Sequence, residues 1–247
     1  MYIDSLDYEG WRGASFRLKF SRGVNALVGM NGCGKTNTLE LIAILAGHRQ
    51  ASQLLREGDE LKYARIVLFH NSGSLHDDMH VLTLGNGLDH EKIAEFKDRL
   101  PVRPSFILQQ DSLRDDRFVT ERREPVECQE SMLRWLKDHD LGVNFHMKNG
   151  EYASLLVSET GAQRYLLTVG MRRAPTATPM LIEHPERSLH IMLKRRLPSF
   201  YRETKRQQLI MTTHDPEVLS GVDSGGWSSH REYENKAIDM HDKAVKW

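Results

Sequence analysis

Apolar positions follow two patterns along the chain. Val24 to Val28, Pro179-Met180-Leu181-Ile182 and Gln208-Leu209-Ile210-Met211 are short runs with little polar interruption, as expected of strands covered on both faces. Ser15 to Phe20 alternates instead, and Met1 to Asp7 precedes it as a further strand, with Tyr8-Glu9-Gly10-Trp11-Arg12-Gly13 read as the turn between them. A helical period appears over Thr36 to Ala46, where Leu39, Ile42, Ala43 and Ala46 form one stripe and Gly47 is a stop signal. The glycines at 29, 32 and 34 therefore lie between a buried strand and a helix.

The middle of the chain predicts strands at Ala64–Phe69 and His80–Leu84, divided by the turn-rich Asn71-Ser72-Gly73-Ser74, and a helix near Glu91–Arg99. Pro101 and Pro104 end that helix, and Ser105 to Leu108 is a short strand leading to Gln109 and Gln110. Residues 111–125 are dense in charge and read as a solvated loop. A helix over Glu130–Asp138 follows, then a hairpin of Val143–Met147 and Tyr152–Val157 turned by Asn149-Gly150, and a helix over Ala162–Arg172. Leu189–Arg202 is a last long helix. Strands alternating with helices imply an α/β fold with a largely parallel sheet. Residues 1–222 read as one domain, with a helical, variable lobe inserted at about 89–140, and 223–247 as a polar tail, loosely ordered or docked on a partner.

Composition narrows the class without naming a partner. Lysine plus arginine and aspartate plus glutamate balance at 34 each over 247 residues, and the mean hydropathy is −0.53, so overall charge gives no pull toward nucleic acid or membrane. No apolar run is long enough to span a bilayer, and the first residues lack a secretory pattern, so the expected location is the cytoplasm. Cys33 and Cys128 are the two cysteines, which make no disulfide framework. The basic runs Arg172-Arg173, Lys194-Arg195-Arg196 and Lys205-Arg206 are either a nucleic-acid face or solvated helix surface.

The strongest chemical signal is Gly29-Met30-Asn31-Gly32-Cys33-Gly34-Lys35-Thr36, a full G-x-x-x-x-G-K-[ST] loop with a strand before it and a helix after it. Its glycines let backbone N–H groups converge on phosphate oxygens, and the helix adds the positive end of its dipole. Lys35 is expected to reach the β and γ phosphates of ATP, and Thr36 to hold magnesium. Asn31, Cys33, Asn37 and Arg12 complete the expected nucleotide contacts. Such a site needs a carboxylate at a neighbouring strand end, and Glu183 after Leu181-Ile182 supplies it. The groups available to orient or deprotonate water are His184, Glu186 and His214. Each has a plainer alternative: a strand-end polar residue, a helix cap near Ser188 and a strand terminator. Trp11 has two readings, adenine stacking or core packing, and packing is preferred.

These residues carry a family resemblance over nearly the whole chain. Tyr8 to Gly13, Phe20 to Gly32, Leu181-Ile182-Glu183-His184-Pro185-Glu186 with Leu189-His190, and Thr212-Thr213-His214-Asp215-Pro216-Glu217-Val218-Leu219 together resemble the ABC-type ATPases of the SMC and RecF branch. The likeness is greatest to compact ATPase domains of overcoming-lysogenisation-defect nucleases and of anti-phage systems such as Septu and retron-linked ATPases. It implies a P-loop head with a mixed or parallel sheet, a helical lobe and no long coiled coil. It also implies that Gln110, or Gln109, senses magnesium and the γ phosphate, and that His214 is a switch histidine. Ser158, Thr160 and Gly161 stand where the family has the signature that closes over a partner's nucleotide, so an ATP-sandwich homodimer or higher oligomer is expected. The implied function is that of an ATPase regulating a separate effector, such as a nuclease, in phage defence or DNA repair. A switch with little hydrolysis and a transporter subunit are the alternatives. Two positions depart from the pattern. His184 replaces the usual catalytic glutamate, which implies slow turnover, and Glu159 occupies the signature's serine position, where its charge would repel a phosphate.

Overall fold

The computed structural model describes residues 1–46, 54–70, 77–101, 105–107, 179–186, 194, 208–223 and 236–240. Strands β1 (Tyr2–Trp11) and β2 (Ala14–Lys19) form a hairpin, and β4 (Tyr63–His70) and β5 (Asp78–Leu84) extend it into an antiparallel sheet of order β2-β1-β4-β5. The second sheet is parallel: β6 (Ser105–Ile107), β7 (Met180–Glu183), β8 (Leu209–Thr212), β3 (Val24–Val28) and β9 (Lys236–Asp239), in that order. Helix α1 (Lys35–Leu45) packs against β7, β8 and β1, α2 (His90–Arg99) against β5, and α3 (Pro216–Asp223) against β3 and β9.

The turn expected at Tyr8–Gly13 shrinks to Arg12-Gly13, because Tyr8 and Trp11 are fully buried and carry β1 onward. Arg12 and Gly13 both have positive φ, 47° and 78°, as a two-residue hairpin with right-twisted strands requires. Gly10, read as a turn residue, is a bulge instead: its φ is 79°, the β1–β2 register shifts between Tyr8 and Trp11, and its N–H donates to Ser15 Oγ. The stripe expected on α1 is also too narrow. Leu41, Ile44 and Leu45 are buried alongside Leu39, Ile42 and Ala43, because the helix contacts both sheets.

The polar tail needs a larger correction. Lys236–Asp239 adds a parallel strand to the outer side of β3, pairing Asn25 with Lys236 and Val28 with Asp239. Ile238 and Met240 are buried in the main core, and the Met240 N–H donates to Val28 O. Hydrogen bonding to β3 and burial of these two side chains hold a segment that composition alone marked as loose. The lobe boundary shifts for a similar reason: β6 lies inside 89–140 yet pairs with β7 in the parallel sheet. The helices expected at 130–138, 162–172 and 189–202 and the hairpin at 143–157 fall outside the described residues, apart from Lys194.

Gln208 ties the sheets together. It is buried just before β8, its Oε1 accepts the Ile3 N–H, and its Nε2 donates to Ile3 O and Ser21 O. One core cluster accordingly contains side chains of both sheets and α1.

Candidate functional site

The site gathers where β3, β7 and β8 end on the same side of the parallel sheet, the usual ligand edge of such sheets. With β8 between β7 and β3, the chain that leaves β3 crosses its neighbour and meets the end of β7. Gly29, Gly32 and Gly34 have φ of 145°, 80° and 97°, so the loop needs a residue without Cβ at each. Gly34 needs it twice over, because a Cβ there would come within 3.3 Å of both Ala14 and Phe16. No side chain caps α1 and its first turn holds no acid, which leaves its N–H groups and dipole for an anion.

Lys35 is buried and folded back on the loop, its Nζ 2.9 Å from Gly29 O and 2.8 Å from Met30 O, with Cys33 Sγ at 3.6 Å. Neutral carbonyl dipoles thus hold the cation that would meet the phosphates. Thr36 Oγ1 donates to Glu183 Oε1 at 2.5 Å, joining residues 147 apart in the chain. This is the pair expected to hold magnesium, and the two oxygens are adjacent. The donor set fits the ion: magnesium takes one or two protein oxygens and leaves its other positions to phosphate and water. Among the described residues no cluster of three His, Cys, Asp or Glu side chains is arranged for a metal, so phosphate and water would be needed.

Beyond Glu183 the backbone turns sharply. His184 has φ 44°, and its N–H is held by Thr212 O at 3.0 Å and Thr212 Oγ1 at 3.2 Å. Its ring stacks on His214, centroids 5.2 Å apart and planes 16° apart, and its Nδ1 lies 3.2 Å from Glu186 Oε1. Burial, then the charge of Lys35 and the neighbouring His184, push the His214 pKa below the ordinary histidine value. Asp215 Oδ1 accepts the Glu217 N–H at the start of α3, and its Oδ2 accepts from Lys194 Nζ at 3.0 Å. Lys194 of the basic run is therefore paired within the chain.

Arg12, one of the expected nucleotide contacts, sits in a network within the chain. Its guanidinium pairs with both oxygens of Asp59, at 2.7 and 2.8 Å, donates to Leu54 O and Asn37 Oδ1, and contacts Glu40. Burial would lower its pKa, but the hydrogen bonds from Asp59 and Glu40 outweigh it, and Asp59 is held below the usual carboxylate range by Arg12. Arg12 thus braces α1 against the 54–59 loop, and Asn37 Oδ1 takes part in that brace. Sequence reasoning missed this network because its partners have no local spacing. Trp11 packs as preferred: it is fully buried, its Nε1 donates to Asn37 O, and Arg12 lies over its ring. Gln109, Gln110, Ser158, Glu159, Thr160 and Gly161 lie outside the described residues.

Comparison with known proteins agrees with this geometry. Residues 150–220, which include Glu183, His184, Glu186 and His214, match the family described as "AAA domain, putative AbiEii toxin, Type IV TA system". The chain is 43% identical over 77 residues to the DNA replication and repair protein RecF of Pseudarthrobacter chlorophenolicus, and 40% identical over 58 residues to the chromosome partition protein Smc of Chlorobaculum tepidum. Those matches cover 29% and 23% of this chain, and only 19% and 5% of the relatives' own lengths. An SMC head domain from Thermotoga maritima superposes with TM-score 0.57 at 20% identity, covering 90% of this chain and 93% of that one. An SMC head bound to the C-winged helix domain of ScpA gives TM-score 0.59 at 15% identity, covering 90% and 92%.

The chain therefore has the α/β fold of the SMC heads, and its sequence is similar over short stretches to the SMC/RecF-like ABC-type ATPases.

Proposed function

We propose that this chain binds ATP with magnesium, hydrolyses it slowly, dimerises around it and passes the resulting change of state to a separate effector protein. The observation that carries the reading is the Thr36–Glu183 contact beside Lys35, which joins the phosphate loop to a strand-end acid across β8. On nucleotide binding, Lys35 exchanges two carbonyl partners for phosphate oxygens, and the free N–H groups of α1 meet the same charge. Thr36 and Glu183 are the residues that would hold magnesium, which when bound neutralises charge on the phosphates. His184 is the group proposed to take a proton from the attacking water, and His214 the group proposed to meet the γ phosphate; the stacking of their rings at the strand ends supports the reading. Gln110 and Ser158, Thr160 and Gly161 are proposed, from the resemblance alone, as metal-sensing and partner-contacting positions.

Binding of a fluorescent ATP analogue with magnesium, followed by light scattering, tests the reading. Wild type should bind and grow in mass, and Lys35→Ala should do neither; equal binding by both would overturn it. The effector is proposed to be a nuclease in phage defence or DNA repair, in keeping with the RecF and toxin-system likenesses. The SMC head solved with a ScpA domain bears on partner binding in general. Co-purification from the native host with ATP tests that part, and a protein always recovered alone counts against it.

A second reading, a nucleotide switch with little hydrolysis, is favoured by His184 itself. Phosphate release by wild type and by His184→Glu separates the two: near-zero release that rises on the substitution supports the switch, and brisk wild-type release excludes it.

A further inference from the structure

We propose that Glu186 is a positioning residue: it holds the His184 ring by Nδ1, making Nε2 the accepting nitrogen at the end of β7. The proposal rests on the reading of His184 as the group that handles water, and deepens it.

The backbone N–H of His184 is fixed by Thr212 through two acceptors, the residue has φ 44°, and the ring face lies on His214. A contact at the ring edge adds to these. Glu186 Oε1 is 3.2 Å from Nδ1, and the glutamate side chain is only 9% exposed, so water competes little for it. A carboxylate oxygen 3.2 Å from Nδ1 is an acceptor for the Nδ1–H tautomer, and with Nδ1 donating, Nε2 is the ring nitrogen left to accept. Glu186 Oε2 is buried with no hydrogen-bond partner among the described residues. The spacing is local: Pro185 turns the chain so that residues two apart meet. A histidine in the place of a glutamate thus has a carboxylate set behind it, the arrangement that fixes tautomer and orientation in other histidine bases.

The experiment uses the full chain. With histidines labelled by nitrogen-15, and the His184 signal assigned by its loss in His184→Ala, ring nitrogen shifts above the ordinary histidine pKa report the tautomer without any turnover. Wild type should show Nδ1–H; E186A, or the similarly sized E186M should E186A fail to fold, has no acceptor there and should lose that preference. Phosphate release gives the second readout. E186A should lower kcat by about tenfold or more with KM little changed, and should cost little in a His184→Glu background, where no imidazole needs orienting. An Nε2–H or doubly protonated ring in wild type, an unchanged tautomer in both Glu186 variants, or an equal loss in both backgrounds would overturn the proposal. If His184→Ala leaves phosphate release intact while the tautomer depends on Glu186, the assignment of His184 as base fails and the positioning role stands.

Discussion

The two sheets place their polar groups differently. In the antiparallel sheet β1–β2 and β4–β5 are chain-local pairs, β1 and β4 being linked through β2, β3 and α1, and charged residues in the connections close on partners: Arg12 on Asp59 and Glu40, Arg22 on Asp77. In the parallel sheet the strands come from widely separated parts of the chain, and their ends gather Thr36, Glu183, His184, Glu186 and His214 in one place. One sheet satisfies its charges and supports; the other assembles unlike groups that a ligand could engage. Substitutions in the first should therefore act on stability, and in the second on chemistry.

The largest effect expected is from Trp11→Ala. It removes a fully buried ring that also donates to Asn37 O, and should cost about 3–5 kcal/mol in urea unfolding. Nucleotide affinity of the molecules that stay folded should fall much less. Glu183→Gln should do the reverse, lowering phosphate release by about a hundredfold or more, on the order of 3 kcal/mol of barrier, with the unfolding midpoint little moved. Comparable damage to both properties by either variant would break the division between the sheets. Asp59→Ala removes one of the two carboxylates that pair with the nearly buried Arg12 guanidinium and should cost about 2–3 kcal/mol of stability. Phosphate release by its folded fraction should stay close to wild type, because the brace ends at Asn37 and Glu40 rather than at the phosphate loop.

The smallest effect is a titration. Burial and then the Lys35 charge lower the His214 pKa, so the folded chain binds that proton less readily than the unfolded chain does. The sign follows: any stability linked to His214 is present above the ordinary histidine pKa and is lost as pH falls below it toward the lowered folded value. NMR titration should place His214 below the other exposed histidines, and Lys35→Ala should move it back up.

The same division decided what could be read in advance. β3, β7 and β8 were legible because strands covered on both faces need unbroken apolar runs, and the phosphate loop because its glycines have one steric purpose. Gly10 misled because bulges and turns draw on the same residue for the same positive φ. β9 was hidden for a different reason: among Lys236, Ala237, Ile238 and Asp239 only Ile238 is both strongly apolar and buried, and backbone pairing with β3 does most of the holding. The Arg12–Asp59 pair spans 47 residues, and no local period records it. Glu183 was found by its strand end, but its meeting with Thr36 depended on the strand order.

The place of β9 also sets an order of events during synthesis. β3 appears early and leads straight into the phosphate loop, yet its outer edge is completed by residues 236–239, and its inner edge by residues 209–212. Until those segments leave the ribosome, β3 has neither of its sheet neighbours, and the loop lacks the frame that aims it at Glu183. A nascent chain stalled before residue 209 should therefore retain no nucleotide, and one released beyond residue 240 should capture it: the proposed nucleotide site is finished only long after its own loop has been made.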